Sequence, residues 1–294
     1  MPAFQTPEPI SAVIELVVGD VRIAAGDRPD TVVEVRPSDG ARRADVNAAE
    51  QTRVEYSAGR LLVKATGRWR SWSPFGYGGS VQVSVELPAG SRVTGASSLG
   101  TFRCTGALGD CRIKTAGEIH VEQAGAVRLV TALGDIHLER GIGDAELIAA
   151  SGDVHAEAID GTAAVKSSNG DIRVGEVTGE LSVKAANGDI VIERSRGSIV
   201  AKTAKGDIRV GVAGRGSVVA ETGVGGVEIA IPDGTAAWLD LHTGYGQLHN
   251  ALNAAEPPQP GVDTVEARAR TGHGDITIRR GNSAVGIDIG EAAK

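Results

Sequence analysis

Apolar and polar residues alternate in short runs along most of this chain, and glycine punctuates the runs. The pattern is clearest in residues 167–210, SSNGDIRVGEVTGELSVKAANGDIVIERSRGSIVAKTAKGDIRV. Gly-Asp-Ile recurs there at Gly170, Gly188 and Gly206, an interval of 18 residues each time. A looser form, Gly-(Asp/Glu)-(Ile/Val), begins at Gly117, Gly134, Gly152, Gly170, Gly188 and Gly206, with spacings of 17, 18, 18, 18 and 18. Weaker copies start at Gly225, Gly246 and Gly274. Each period also splits in half, GDIRVGEVT being followed by GELSVKAAN, GDIVIERSR and GSIVAKTAK. The smallest unit is thus a glycine-polar turn followed by a short alternating strand.

Period-two alternation points Ile172 and Val174 to one side and Arg173 to the other. One such strand cannot bury its apolar side alone. Two halves make a coil of 18 residues with two strands facing each other. Stacked coils then pair each strand in parallel with its equivalent one period away, about 4.8 Å up the axis. The pattern predicts an all-β fold, a parallel β-solenoid over residues 99–287, with each coil against its neighbours in sequence. Glycine suits turns that need positive φ, and Asn-Gly reinforces it. The recurring Asp135, Asp153, Asp171, Asp189 and Asp207 fit carboxylates that accept turn amides. A calcium ladder is the sharper alternative, but the chain lacks the further glycines of the GGxGxD nonapeptide. Thr115, Thr131, Ala149, Ser167, Ala185 and Thr203 form a column of small residues just before the turns.

The first third is less regular. After a tail at residues 1–9, residues 10–98 read as strands, with a hairpin turn at Gly59. Their expected role is the first coils plus a cap, because an open end of stacked strands would template aggregation. Residues 252–264 form a polar, proline-rich insertion, and residues 288–294 a tail.

Composition narrows the classes. Forty-one glycines are about twice the usual share, and the chain has only nine aromatic residues. That suits thin, turn-dense β structure. The net charge is -7; residues 1–98 carry 11 basic and 11 acidic side chains, so the acidic excess lies in the repeats. An acidic repeat surface argues against nucleic acid. The start has no basic segment followed by an apolar one, and no apolar run reaches the roughly 20 residues that cross a bilayer as a helix. The expectation is a cytoplasmic protein without a transmembrane segment. Cys104 and Cys111 form no CxxC pair and read as buried thiols. No GxSxG, HExxH, P-loop or dinucleotide fingerprint is present. The expectation is a non-enzymatic protein with no cofactor. A polysaccharide-cleaving β-helix is set aside because the coils are short and almost free of aromatics.

Three clusters could carry chemistry. His120, His137 and His155 fall at equivalent positions of successive coils, with Glu122, Glu139 and Glu157 two residues on. They would form a grid of imidazoles and carboxylates open to Zn²⁺, another transition metal or a pH-dependent contact. A solvated face of offsetting charges explains the same pattern. Lys166, Lys184 and Lys202 form a column on the opposite sheet, able to attract an anionic polymer or a lipid headgroup, or simply a soluble face. Residues 68–79, RWRSWSPFGYGG, gather Arg68, Trp69, Arg70, Trp72, Phe75 and Tyr77 in a proline- and glycine-containing loop. Such a loop suits contact with a protein partner, a second copy or a membrane interface, or folds down as an apolar cap.

The segment VSVELPAGSRV at residues 83–93, the serial SGDV, NGDI and KGDI turns, and the closing TGHGDITIRR resemble the bacterial β-strand-repeat family called the "putative adhesin" or toastrack domain of unknown function. The resemblance runs from about Ile10 to Arg280, and the start is similar to stand-alone actinobacterial members. It implies one β-solenoid domain with no established enzymatic activity and no catalytic residues to carry over. Relatives joined to membrane segments are associated with sensing cell-envelope stress. The functional expectation is a scaffold or protein-interaction module, self-associating or bound to an envelope-associated protein. The alternative is a binder of an anionic envelope polymer or lipid headgroup through the lysine column.

Overall fold

Short alternating strands with a glycine turn every nine or so residues give two flat sheets rather than a thick core. The structure is a computed structural model and describes residues 2–65, 79–213, 216–252 and 264–281. Strands that follow the Gly-Asp turns, such as Ile172–Val177 and Ile190–Ser195, form sheet A. The intervening strands, such as Ala163–Asn169 and Leu181–Asn187, form sheet B. Each sheet contains twelve parallel strands among the described residues. At about 4.8 Å per step the stack is about 50 Å long.

The core is the space between the sheets. Ile119, Ile136, Val154, Ile172, Ile190, Ile208 and Val227 stack in register on sheet A and are all buried. Leu129, Leu147, Val165 and Val183 form the matching column on sheet B. Burying one such aliphatic side chain contributes about 2 kcal/mol. The repeat therefore holds its register by the rule that a one-residue slip would turn every apolar side chain outward.

The turns work as inferred, but between coils rather than within them. Asp153 Oδ1 accepts the backbone N–H of Asp171 at 2.8 Å, Asp171 that of Asp189 at 2.8 Å, and Asp189 that of Asp207 at 2.8 Å. Hydroxyls of the small column donate to turn carbonyls of the preceding coil, as Thr131 does to Gly117 O at 2.7 Å. Gly170 shows why the turn residue is glycine: its φ is 137°, and a Cβ there would stand 2.2 Å from Gly152 O.

The ends differ from simple sequential stacking. Ser11–Gly26 is one 16-residue strand serving both sheets. Its first half pairs with Arg60–Ala65 and Arg92–Leu99 in sheet B, its second half with Val81–Pro88 and Phe102–Ala107 in sheet A. The corner falls at Gly19 (φ 156°), where a Cβ would meet Val81 O at 2.2 Å. Strand Ser11–Gly26 thus lies between coils that follow it in sequence. The far end repeats the device. Thr264–His273 inserts between Gly216–Val224 and Ala236–Tyr245, and Ile276–Gly281 between Val227–Pro232 and Leu248–Asn250. The outermost described coil is therefore 236–250, not 264–281.

The N-terminal end is capped. Asp30–Pro37 adds antiparallel to sheet A, with Ala3–Gln5 beyond it, and Thr52–Ser57 adds antiparallel to sheet B. A helix absent from the sequence reading, Arg43–Gln51, joins the two caps. Its alanines favour helix, and Thr52 closes it by donating its hydroxyl to Ala48 O at 2.8 Å. Buried Asp45 fastens it, accepting the N–H groups of Asp39 at 3.2 Å and Ser80 at 3.1 Å.

Candidate functional site

A sheet of in-register parallel coils turns each repeated sequence position into a straight row of side chains. The histidines show it directly. His120 pairs with His137 and His137 with His155 across three strands of sheet A. Their rings stack at 4.9 Å and 5.0 Å, nearly parallel. Arg103 continues the row above His120 and Arg173 below His155. Each carboxylate answers the imidazole one coil up: Glu139 lies 3.3 Å from His120 Nε2, and Glu157 lies 3.9 Å from His137 Nε2 and from His155 Nε2. Glu122 leaves the grid, because its carboxylate accepts the N–H of Gly106 at 2.8 Å. Burial holds His155 below the usual imidazole value, helped by the neighbouring His137 and Arg173 and opposed by Glu157 and Glu193.

On sheet B, Lys166, Lys184 and Lys202 also pair in register. They are not equivalent. Lys202 is half-buried and bound to Glu221 at 2.6 Å, whereas Lys166 and Lys184 are exposed with no ion pair among the described residues. A shallow depression of about 520 Å³ borders Lys202, Glu221 and Arg270. The loop candidates Arg68, Trp69, Arg70, Trp72, Phe75 and Tyr77 lie outside the described residues. Cys104 and Cys111 are free and buried. The Cys104 thiol is held well above its usual value by its hydrogen bond with Cys111 and by burial.

The sequence reading missed the outer coil. There the core columns run out: Leu248 continues the Ile276 row and Leu241 the Ala269 row. Leu248 is 50% exposed and Leu241 half-buried, while Trp238 and Tyr245 beside them are 58% and 74% exposed. Tyr245 stacks on His273 at 4.9 Å. The available signal was two of nine aromatics in AAWLDLHTGYGQLHN, where alternation weakens.

Against this geometry, residues 13–280 match the family described as Toastrack DUF4097. The chain belongs to that family. Among curated proteins none matches it. Solved structures similar to this chain include one from Parabacteroides distasonis described as a "putative lipid binding protein", 16% identical, with TM-score 0.50 over 94% of this chain and 95% of that one. Another, from Bacteroides fragilis, is described as a "putative adhesin", 13% identical with TM-score 0.34 over 94% and 95%. A third, from Clostridium sporogenes, is described as a "putative cell adhesion protein", 12% identical with TM-score 0.22 over 94% of each chain.

These findings correct the cytoplasmic reading of the toastrack chain. That reading rested on two absences, a leader-like start and a membrane-spanning apolar run, and neither absence locates the protein. The Parabacteroides distasonis structure is described in terms of lipid binding, not as a cytoplasmic protein. Among the described residues no helix is long and apolar enough to cross a membrane.

Proposed function

We propose that this toastrack protein is a non-enzymatic scaffold whose outer coil docks a protein partner. The observation that carries the reading is the asymmetry of the two ends. Antiparallel strands and a helix close the N-terminal end, whereas Leu248, Trp238 and Tyr245 stand exposed on coil 236–250. An uncovered strand edge offers backbone donors and acceptors, and exposed apolar side chains beside it reward whatever covers them. A partner strand added to Ala236–Tyr245 would meet both needs. The adhesion-related descriptions of two relatives support a partner at the cell envelope or surface. The residues 68–79 remain a second contact candidate. The test is proximity labelling in the native host, wild type beside a Trp238→Ser/Tyr245→Ser variant and a Trp69→Ala/Trp72→Ala variant. A partner lost only with the first supports the outer coil. An unchanged set in the first variant contradicts it.

A second reading rests on Lys166 and Lys184, which are exposed and unpaired among the described residues. Two stacked ammonium groups suit an anionic polymer or lipid headgroup, and one relative is described as lipid-binding. The expected result is salt-sensitive binding to anionic vesicles that a Lys166→Ala/Lys184→Ala/Lys202→Ala variant loses. Binding that survives the variant rules this reading out.

A further inference from the structure

The histidine row has a property that a solvated face of offsetting charges does not require. Its neighbouring ligand atoms converge. Nε2 of His120 and Oε1 of Glu139 are 3.3 Å apart. A tetrahedral ion with bonds of about 2.0 Å sets its donor atoms about 3.3 Å apart, so this pair already has a chelating separation. One ligand atom each from His120, His137 and Glu139 lies within 4.8 Å of the other two. His137 therefore needs to close by roughly 1 to 1.5 Å, which rotation of a partly exposed side chain provides. All three side chains are reachable, at 24%, 34% and 41% exposure. The rigid parallel pairing of Ile119–Ala124 with Ile136–Gly141 holds their backbones in fixed register.

We propose that His120, His137 and Glu139 form a surface site for a borderline divalent transition-metal ion, with Zn²⁺ as the reference. Two imidazoles and one carboxylate select Zn²⁺, Cu²⁺ or Ni²⁺ over the hard cations Ca²⁺ and Mg²⁺, which prefer all-oxygen shells. Three protein ligands leave one position open, directed away from the sheet, for water or for a donor on another molecule. The charges around the row place the ion at this end. Arg173 follows His155 in register and disfavours a cation there. Arg103 flanks His120, but Glu139 offsets it at 3.3 Å. Glu157, 3.9 Å from His137 Nε2, adds negative charge one coil beyond.

Binding needs neutral imidazoles, so protons compete with the ion. Acidification must therefore weaken the site. The charged groups beside the row are Arg103 and Arg173 at its two ends, Glu139 and Glu157 along it, and Glu193 near His155.

The experiment is calorimetric titration of tag-free full-length protein with ZnCl₂ at pH 7.5 and pH 5.5. Wild type is expected to bind one ion per chain at pH 7.5, at least about tenfold more weakly at pH 5.5. His137→Gln and Glu139→Gln are expected to weaken binding by about tenfold or more. His242→Gln, on the outer coil, is expected to bind as wild type. Absence of binding to wild type, or equal binding by His137→Gln, overturns the site. The ring signals of His120 and His137 in wild-type nuclear magnetic resonance spectra give a readout independent of variant folding. They must shift together on adding Zn²⁺, and rings that do not respond overturn the site as well.

Discussion

Asp171 links two neighbouring turns, one through its backbone and one through its carboxylate. Its backbone N–H bonds to Asp153, and its Oδ1 takes the N–H of Asp189, so each turn is tied to the turns on either side. The sequence announced these aspartates through their 18-residue spacing. It could not show that the acceptor serves the next coil, because that depends on the rise between coils and not on local turn geometry. A hydrogen bond of this kind to an exposed turn contributes about 1 kcal/mol. Asp171→Ala should therefore lower the urea midpoint by an amount corresponding to about 1 kcal/mol, Asp171→Asn by less than half of that, and Asp233→Ala, outside the ladder, by nothing measurable. Equal losses for alanine and asparagine would mean that the carboxylate acts through charge rather than through the ladder bond. Glu122 shows the opposite limit of legibility. Its spacing matches Glu139 and Glu157, yet it turns to Gly106 because the strand pairing shifts there, between Val121 and Gln123.

Strands were legible wherever alternation and glycine turns coincide, and the in-register rows of histidine and lysine followed from the period alone. The helix Arg43–Gln51 was not, because RADVNAAEQ is short and only Val46 among its bulky positions is apolar. Its place is decided by tertiary contact, chiefly the Asp45 carboxylate holding the N–H of Ser80. The order of the end coils was also illegible. Every coil carries the same apolar pattern, so the pattern fits any slot in the stack equally. Specific side chains select the slot. Glu228 on Val227–Pro232 binds both Arg209 and Arg279, which ties Ile276–Gly281 directly against it. Arg280 adds hydrogen bonds to Pro232 O at 2.8 Å and Thr235 O at 2.9 Å. The pairings of Arg279 and Arg280 have no sequence signature, since their partners lie 45 to 51 residues away.

At the scale of the molecule, these substitutions of order give a stack whose ends are interlocked. The strand 11–26 is held between two coils at one end, and coil 264–281 is held between two coils at the other. In a quasi-one-dimensional fold the end coils open first, because they have one neighbour instead of two. The interlock moves strands 264–281 inward and leaves coil 236–250, with Trp238, Tyr245 and Leu248, as the outermost described coil, on which the proposed docking depends. Hydrogen exchange read by mass spectrometry on the free protein tests this placement most directly. Amides of 264–281 should be protected as long as those of the central coils, and amides of 236–250 should exchange first. If 264–281 exchanges first and 236–250 is protected like the centre, the coils stack in sequence order and the docking end has been assigned to the wrong residues.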